Sequence, residues 1–177
     1  MVLEYNLDGA IRKIPDFPKK GILFYDITGV LINPEAFQFC VDKMSELYAE
    51  SKIDAVAAIE ARGFIFGAAF AACRGVPLIL VRKKGKLPGK TYARKFCLEH
   101  GEDEVEIHIA DIKKNWNVLV VDDLIATGGT IKATCEVIEQ AEASVAGIFS
   151  VIGLPFLDYK QVLGDYELTT LIEYESE

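Results

Sequence analysis

The sequence has few of the features that mark secreted, membrane-spanning or metal-bound proteins. Its four cysteines are far apart and form no CxxC pair, which argues against a zinc framework or a redox motif and favours free thiols in a reducing cytosol. The longest uncharged apolar run, residues 63–73, is shorter than the roughly 20 residues that span a bilayer. The first residues carry acids in place of the apolar core of a signal peptide. We therefore expect a soluble, cytoplasmic protein with no membrane partner.

Positive charge is also scarce. The 177 residues contain 19 Lys and Arg against 27 Asp and Glu, which gives a net charge of −8. A chain with this balance does not coat nucleic acid or anionic membranes nonspecifically, although a local basic patch can still bind an anion. Apolar residues make up 51%, which is enough for one sizeable core. With the length, this composition predicts a single domain over residues 1–177.

Hydrophobic patterning divides this domain into three zones. An N-terminal cap, a helix followed by irregular structure, is expected over about residues 1–33, an α/β core over 34–152, and a tail with a last strand over 153–177. Within the core, helical patterns alternate with short apolar strands: helices at 34–50, 64–73 and 130–140, and strands at 54–59, 76–81, 118–121 and 145–152. This alternation predicts a central, mainly parallel twisted sheet flanked by helices, whose ligands bind at the carboxyl ends of the strands.

One segment of the core carries most of the chemistry, Val118-Leu-Val-Val-Asp-Asp-Leu-Ile-Ala-Thr-Gly-Gly-Thr130. A buried strand ends in two acids, and a loop rich in Gly and Thr then opens a helix. Backbone N–H groups at a helix N-terminus favour a phosphate. Because carboxylates would repel that phosphate, Asp122 and Asp123 should contact another part of the ligand, such as a sugar diol. The segment therefore predicts a sugar phosphate ligand. The G-x-x-x-x-G-K-[ST] and G-x-G-x-x-G motifs are missing, which disfavours ordinary P-loop and dinucleotide enzymes.

A second feature is a local run of positive charge. Seven of the 19 cations fall within the fourteen residues 82–95, which include no acid. Because they follow an expected strand, Arg82, Lys83 and Lys86 are assigned to a second polyanion site, in a loop whose glycines and proline allow it to move and to exclude water. Arg62, at another strand end, is a further candidate anion ligand. The other four cations of the run are expected to be solvated: Lys84, Lys90, Arg94 and Lys95.

Together these blocks resemble a known family. Residues 120–130 resemble the phosphoribosyl-pyrophosphate (PRPP) motif of type I phosphoribosyltransferases, and four other blocks narrow the resemblance to the adenine phosphoribosyltransferases. Those blocks are Ile14-Pro-Asp-Phe-Pro-Lys-Lys-Gly-Ile-Leu-Phe24, Glu60-Ala-Arg-Gly-Phe-Ile-Phe-Gly67, Val81-Arg-Lys-Lys-Gly-Lys-Leu-Pro-Gly89, and Leu98-Glu-His-Gly101 before Glu106-Ile-His108. The resemblance covers roughly residues 12–154. It implies the type I phosphoribosyltransferase fold, with an N-terminal hood and a flexible active-site loop.

The activity that the resemblance implies is a step of purine salvage. Ribose 5-phosphate passes from PRPP to N9 of adenine, giving AMP and pyrophosphate, with Mg²⁺ carried mainly by PRPP because the sequence specifies no metal site of its own. The resemblance also implies a homodimer. Asp122 and Asp123 then hold the ribose hydroxyls, and five consecutive residues wrap the 5-phosphate: Ala126, Thr127, Gly128, Gly129 and Thr130.

The remaining implied roles concern pyrophosphate and the base. The candidates for the pyrophosphate end, some of them acting across the dimer interface, are Arg62, Arg82, Lys83 and Lys86. The adenine pocket is lined by Leu23, Phe24, Tyr25 and Leu154. Glu99 matches the loop carboxylate that contacts the purine, and as the catalytic residue it would accept a purine N–H hydrogen bond and make N9 more nucleophilic.

Two departures from the family pattern bear on specificity. Tyr25 replaces the usual Arg after Phe24, which matters if that side chain, and not its backbone, reads the base. His100 replaces the usual Tyr beside Glu99, where it would add a pH dependence near neutrality if it does not simply lie at the surface.

Two rival functions remain open at this point. One is transfer to another purine such as hypoxanthine or xanthine, since residue types alone do not show which 6-substituent is recognised. The other is a PRPP-sensing regulator built on the same fold. The net charge gives no general footprint for DNA, and a competition assay over several bases would separate the enzymes.

Overall fold

The structure is a computed structural model that describes residues 5–98, 101–164 and 166–176. In these ranges the helices are α1 (Thr28–Leu31), α2 (Pro34–Leu47), α3 (Gly63–Arg74), α4 (Gly129–Gln140) and α5 (Tyr159–Leu163). The strands are β1 (Arg12–Pro15), β2 (Leu23–Asp26), β3 (Ala55–Ile59), β4 (Leu78–Lys83), β5 (Thr91–Leu98), β6 (Gly101–His108), β7 (Asn117–Ile125), β8 (Ser144–Gly153) and β9 (Leu168–Glu173).

The central sheet is mainly parallel, as the sequence predicts. Its order over the described residues is β5-β6-β4-β3-β7-β8-β9. Five neighbouring strands pair in parallel, in the order β4, β3, β7, β8 and β9. At the other edge, β6 pairs antiparallel with both β4 and β5. The predicted core helices and strands are confirmed, with bounds that differ from the expected ones by a few residues at most.

Helices cover both faces of this sheet. Helix α4 packs on one face, while α2, α3 and the N-terminal cap pack on the other. Helix α2 begins where Asn33 caps it, because the Asn33 side chain accepts hydrogen bonds from the N–H groups of Glu35 and Ala36 at 3.1 and 3.2 Å. Helix α3 can lie close to β3 because Gly67 has no side chain there: a Cβ at this position would be only 2.6 Å from the Cβ of Ala58. The helices thereby fix the loops that follow each strand.

Two segments differ from the sequence-based expectation. In the described part of the cap, β1 and β2 form an antiparallel hairpin, with Ile14 opposite Phe24, where a helix and irregular structure were predicted. All four residues of β1 are exposed, so the strand shows no alternation of apolar and polar residues. β5 and β6, a region to which the sequence assigns no strand, pair antiparallel with each other. The outer half of this strand pair carries charged residues that pair across the strands, such as Lys95 with Glu102 at 3.1 Å.

None of the helices in the described ranges combines the length and apolarity that a bilayer crossing requires.

Candidate active site

Three loops meet at the carboxyl edge of the sheet. In the parallel register, Ile59 of β3 lies opposite Val81 of β4, and Ala58 lies opposite Val121 of β7. The residues that follow these positions, near 60–63, 82–87 and 122–130, therefore come out of the sheet side by side. This edge is where ligands bind in open α/β sheets.

The loop between β7 and α4 forms a small cradle. Its pocket has a volume of about 100 Å³ and is lined by Asp122 and residues 124–131. Gly128 adopts a left-handed conformation with φ of 81° and precedes the first residue of α4. The first backbone N–H groups of a helix have no partner within the helix and carry its positive dipole end. The five residues predicted to wrap a phosphate all line this pocket, at the end of α4 that suits an anion.

The two acids at the end of β7 have different surroundings. Asp123 is buried, and its Oδ2 accepts a hydrogen bond from Nε of Arg62 at 2.5 Å. Asp122 is half-buried and lines the pocket, and its Oδ1 accepts the N–H of Asp123 at 2.8 Å. A Cβ at Gly63 would lie 3.0 Å from that same Oδ1, so the first turn of α3 rests directly on Asp122. One acid therefore faces the pocket while the other is paired with Arg62.

Burial and charge shift the proton affinities of this group. Burial, and then the nearby charge of Asp123, raise the pKa of Asp122 well above its usual value. For Arg62, burial on its own would lower the pKa, but the carboxylate of Asp123 and its hydrogen bond outweigh that effect, and the pKa is raised. A hydrogen-bond donor that enters the pocket therefore stabilises the ionised form of Asp122, because it replaces the lost hydration.

Arg82 and Lys83, the last two residues of β4, pair with acids on or next to the neighbouring strands. Nε of Arg82 donates to Oε2 of Glu60 at 2.7 Å. Nζ of Lys83 lies 2.7 Å from Oδ2 of Asp103, and the hydrogen bond from this ammonium lowers the pKa of Asp103. Lys86 is exposed, and its carbonyl oxygen accepts a hydrogen bond from a guanidinium N–H of Arg82 at 3.3 Å. The structure therefore brings Arg62, Arg82 and the turn that contains Lys86 to one edge of the sheet.

The predicted base pocket splits into two groups of side chains. Leu23, Tyr25 and Leu154 belong to one apolar cluster beneath the cap. Phe24, on the opposite face of β2, meets Phe17 edge to face with ring centroids 5.1 Å apart. Leu154 sits beside the cradle, because its N–H donates to the carbonyl oxygen of Ile125 at 3.0 Å.

Tyr25, which replaces the usual Arg, is tied to the end of the chain. Its buried ring stacks on Tyr174 with centroids 3.9 Å apart and an interplanar angle of 15°. Its hydroxyl donates to the carbonyl oxygen of Ser176 at 3.2 Å. The hydroxyl of Tyr174 in turn donates to Oδ1 of Asp8 at 2.6 Å, and Lys13 pairs with the same carboxylate at 2.7 Å. The side chain at position 25 is thus occupied in joining the cap to the tail.

Comparison with known proteins assigns the chain and its fold to a family. A family model described as "Phosphoribosyl transferase domain" matches residues 26–172. The chain belongs to the phosphoribosyl transferase family. It is 61% identical over 171 residues to the adenine phosphoribosyltransferase of Treponema denticola, covering 97% of this chain and 90% of that protein. The resemblance to the adenine phosphoribosyltransferases is therefore confirmed.

Solved phosphoribosyltransferase structures have the same fold. The crystal structure of adenine phosphoribosyltransferase from Thermoanaerobacter pseudethanolicus is 43% identical with a TM-score of 0.91, over 95% of this chain and 98% of that one. The Saccharomyces cerevisiae enzyme, complexed with D-2,5-dideoxy-2,5-imino-altritol 1,6-bisphosphate and adenine, is 39% identical with a TM-score of 0.88, over 94% and 96% of the two chains.

The predicted catalytic residue of this phosphoribosyltransferase lies outside the described residues. Glu99 and its neighbour His100 fall between residues 98 and 101, so their roles stay predictions. Among the residues that the structure does describe, no group of three His, Cys, Asp or Glu side chains is placed to hold a metal ion.

Three residues of the phosphoribosyltransferase site were not assigned from the sequence. Glu60 holds Arg82, Glu106 lies under the turn that follows β4, and Tyr174 stacks on Tyr25. Glu106 had a sequence signal, because it is an acid between two apolar residues of a strand. Glu60 and Tyr174 had none, since their partners lie far away in the sequence.

Proposed function

We propose that this chain transfers ribose 5-phosphate from PRPP to N9 of adenine and releases AMP and pyrophosphate, a reaction of purine salvage. The observation that carries the proposal is the cradle of residues 126–130 at the N-terminus of α4, next to the carboxylate of Asp122. Relatives named adenine phosphoribosyltransferase support adenine over hypoxanthine or xanthine and favour an enzyme over a PRPP-sensing regulator.

The cradle and the two acids bind different parts of PRPP. Residues 126–130 bind the 5-phosphate through backbone N–H groups and hydroxyls. Asp122 accepts hydrogen bonds from the ribose diol, which replaces the hydration that its burial removes. Asp123 completes the diol contacts while Arg62, now paired with it, turns toward the pyrophosphate. This division explains why a phosphate site has two acids beside it.

Reaction at the anomeric carbon separates charge. The bond from C1 of ribose to pyrophosphate breaks, N9 of adenine bonds to C1, and the sugar passes through a cationic, oxocarbenium-like state. Arg82, Lys83 and Lys86 stabilise the departing pyrophosphate. Mg²⁺ enters as part of the substrate, bound to the diphosphate, and neutralises part of the leaving group's charge. Glu99 accepts a hydrogen bond from the purine N–H, which makes N9 more nucleophilic, and as general base it takes up the proton that adenine loses when N9 bonds to C1.

The base binds between the cap and the end of β8. Phe24, whose ring is on the outer face of β2, offers an aromatic face to adenine. Leu23 and Leu154 complete the apolar walls. Tyr25 contributes through its backbone, because its ring is stacked on Tyr174.

The active form is a homodimer, and helix α3 supports this proposal. One face of α3 packs on the sheet, but the opposite face is also apolar, with Ile65, Ala68 and Ala72 exposed. A helix that is apolar on both faces is normally buried on both. A second copy of this chain covers that face, which begins next to Arg62. Size-exclusion chromatography with light scattering tests this, and Ala68→Glu should yield monomers.

The location is the cytoplasm. Cys40, Cys73 and Cys135 are free thiols in the structure, as in proteins of a reducing compartment.

Formation of AMP is the direct test of the proposed function. Purified protein is supplied with PRPP, Mg²⁺ and adenine, and products are separated by chromatography. Parallel reactions contain hypoxanthine, guanine or xanthine in place of adenine. We expect AMP and pyrophosphate in equal amounts, and a kcat/KM for adenine that exceeds that of each other base. Turnover of another base in preference to adenine, or of none, would contradict the proposal.

A further inference from the structure

The connection between β4 and β5 has to cross over a strand. β6 lies between β4 and β5 in the sheet. Glu106 of β6 pairs with Arg82 on one side and with Ala93 on the other. The chain from residue 84 to residue 90 therefore passes over β6 to reach β5, and this crossing turn carries Lys86.

A buried carboxylate lies directly beneath the crossing turn. Glu106 is only 5% exposed. Its Oε1 accepts the backbone N–H groups of Lys86 at 3.1 Å and of Leu87 at 2.9 Å. Its Oε2 accepts the hydroxyl of Thr91 at 3.3 Å. Hydrogen bonds to an ionised carboxylate are stronger than neutral ones, so this one side chain anchors the middle and the end of the crossing turn.

The start of the turn is anchored by a second carboxylate. Glu60 accepts Nε of Arg82 at 2.7 Å and the backbone N–H of Lys83 at 3.2 Å. Arg82 also donates to the carbonyl oxygen of Lys86 at 3.3 Å. The two cations are thus linked to each other as well as to the acids, and a displacement of Lys86 would be transmitted to Arg82.

We infer that Glu106 is a positioning residue for the pyrophosphate end of the site. It touches no reacting atom, and it acts by holding the turn that presents Lys86 and Arg82. A turn fixed before the substrate arrives loses less conformational freedom on binding. The inference rests on the proposed function, which assigns these two cations to pyrophosphate.

Four variants separate this role from a general loss of charge or of packing. Glu106→Ala removes the acceptor, and Glu106→Met removes it while filling the space, in case the smaller side chain prevents folding. Glu106→Gln keeps an oxygen for the two N–H groups and an amide that can donate to Thr91. Glu102→Ala removes the same charge from the same strand, at an exposed residue paired with Lys95 at 3.1 Å.

Steady-state kinetics measure the effect at each end of the site. For Glu106→Ala and Glu106→Met, we expect the KM for PRPP and the inhibition constant of pyrophosphate to rise about tenfold, on the scale of one lost charge-assisted hydrogen bond. The KM for adenine should not change. Glu102→Ala should stay within about twofold of the wild type. Glu106→Gln should fall between the wild type and Glu106→Ala, because it keeps the acceptor but loses the charge. Lys86→Ala should have a smaller effect in the Glu106→Ala background than in the wild type, because the two residues act together.

Limited proteolysis tests the anchoring without any substrate. Trypsin should cut after Lys84 and Lys86 faster in Glu106→Ala and Glu106→Met than in the wild type, Glu106→Gln or Glu102→Ala. Unchanged cleavage, an unchanged KM for PRPP, or an equal rise in the KM for adenine would each overturn the inference. Failure of the proposed function is recognised separately, because the wild type would then form no AMP, and the role of Glu106 would fall with it.

Discussion

Replacing Gly63 by alanine should damage both the stability and the PRPP site. The new Cβ would lie 2.8 Å from the carbonyl oxygen of Val121, 3.0 Å from the Cα of Asp122 and 3.0 Å from its Oδ1. Two of these three atoms belong to the backbone of a central strand, so they cannot turn aside as the end of a flexible side chain would. The start of α3 has to move away from the sheet, or Asp122 has to leave its position.

The magnitude follows from the cost of overpacking. Adding a methyl group to a closely packed site costs about 1–3 kcal/mol. In a domain of about 150–250 residues, each kcal/mol corresponds to roughly 2–4 °C in Tm. We therefore expect Gly63→Ala to lower Tm by about 2–12 °C. The displaced Asp122 should also raise the dissociation constant of PRPP.

Gly164→Ala is the matched control. Gly164 has φ of −42°, which other residues adopt freely, and the nearest atom to its added Cβ is the carbonyl oxygen of Lys160 at 3.4 Å, an ordinary contact. We expect its stability to stay within about 0.5 kcal/mol of the wild type. Thermal unfolding by circular dichroism and calorimetric titration with PRPP give the two readouts. If Gly63→Ala has the same Tm as Gly164→Ala and binds PRPP normally, then α3 does not approach Asp122 as closely as the structure shows.

Three further predictions concern charged residues. The raised pKa of Asp122 means that ionisation of this carboxyl destabilises the folded state. The Tm of Asp122→Asn should therefore exceed that of the wild type increasingly as the pH rises above 3.8 and should not exceed it below that pH, and the variant should lose PRPP binding. A Tm difference that is constant with pH, or normal PRPP affinity by calorimetry, would contradict this. Glu99→Ala should lower kcat by about 10²–10⁴-fold while PRPP still binds, and near-normal turnover would place the base contact elsewhere. Pyrophosphate should inhibit competitively with PRPP, and Lys83→Ala with Lys86→Ala should raise its inhibition constant about tenfold or more; no change would reduce both lysines to surface charges.

The core of the fold was predictable because its signals are local. Residues 118–130 contain a buried strand, a turn and a helix start in one uninterrupted segment, and the structure places them as β7, the cradle and α4. The same holds for α2, whose cap at Asn33 and proline at position 34 are adjacent in the sequence.

The two hairpins were not predictable in this way. The exposed strand β1 has no apolar face, and β5 and β6 place charged residues at strand positions, where they are stabilised by partners on the neighbouring strand. Lys95 of β5, for example, pairs with Glu102 of β6 at 3.1 Å. Because such pairs form only in the register of the finished sheet, the local sequence of these strands gives only a weak strand signal.

Site geometry was predictable for the cradle but not for its partners. The pairing of Arg62 with Asp123 joins residues 61 positions apart. The stack of Tyr25 on Tyr174 joins the two ends of the chain. A lone tyrosine in place of arginine suggests altered base recognition when read from the sequence, whereas the structure shows that its ring supports the cap.

The link between the cap and the tail has a consequence for how the protein is made. Asp8 and Tyr174, joined by a hydrogen bond, are 166 residues apart. At a synthesis rate of about 5–20 residues per second, the ribosome needs roughly 8–33 seconds after making Asp8 before Tyr174 exists. The ring of Tyr25 therefore has no stacking partner through most of translation, and the joint between the cap and the tail forms only when synthesis is nearly complete.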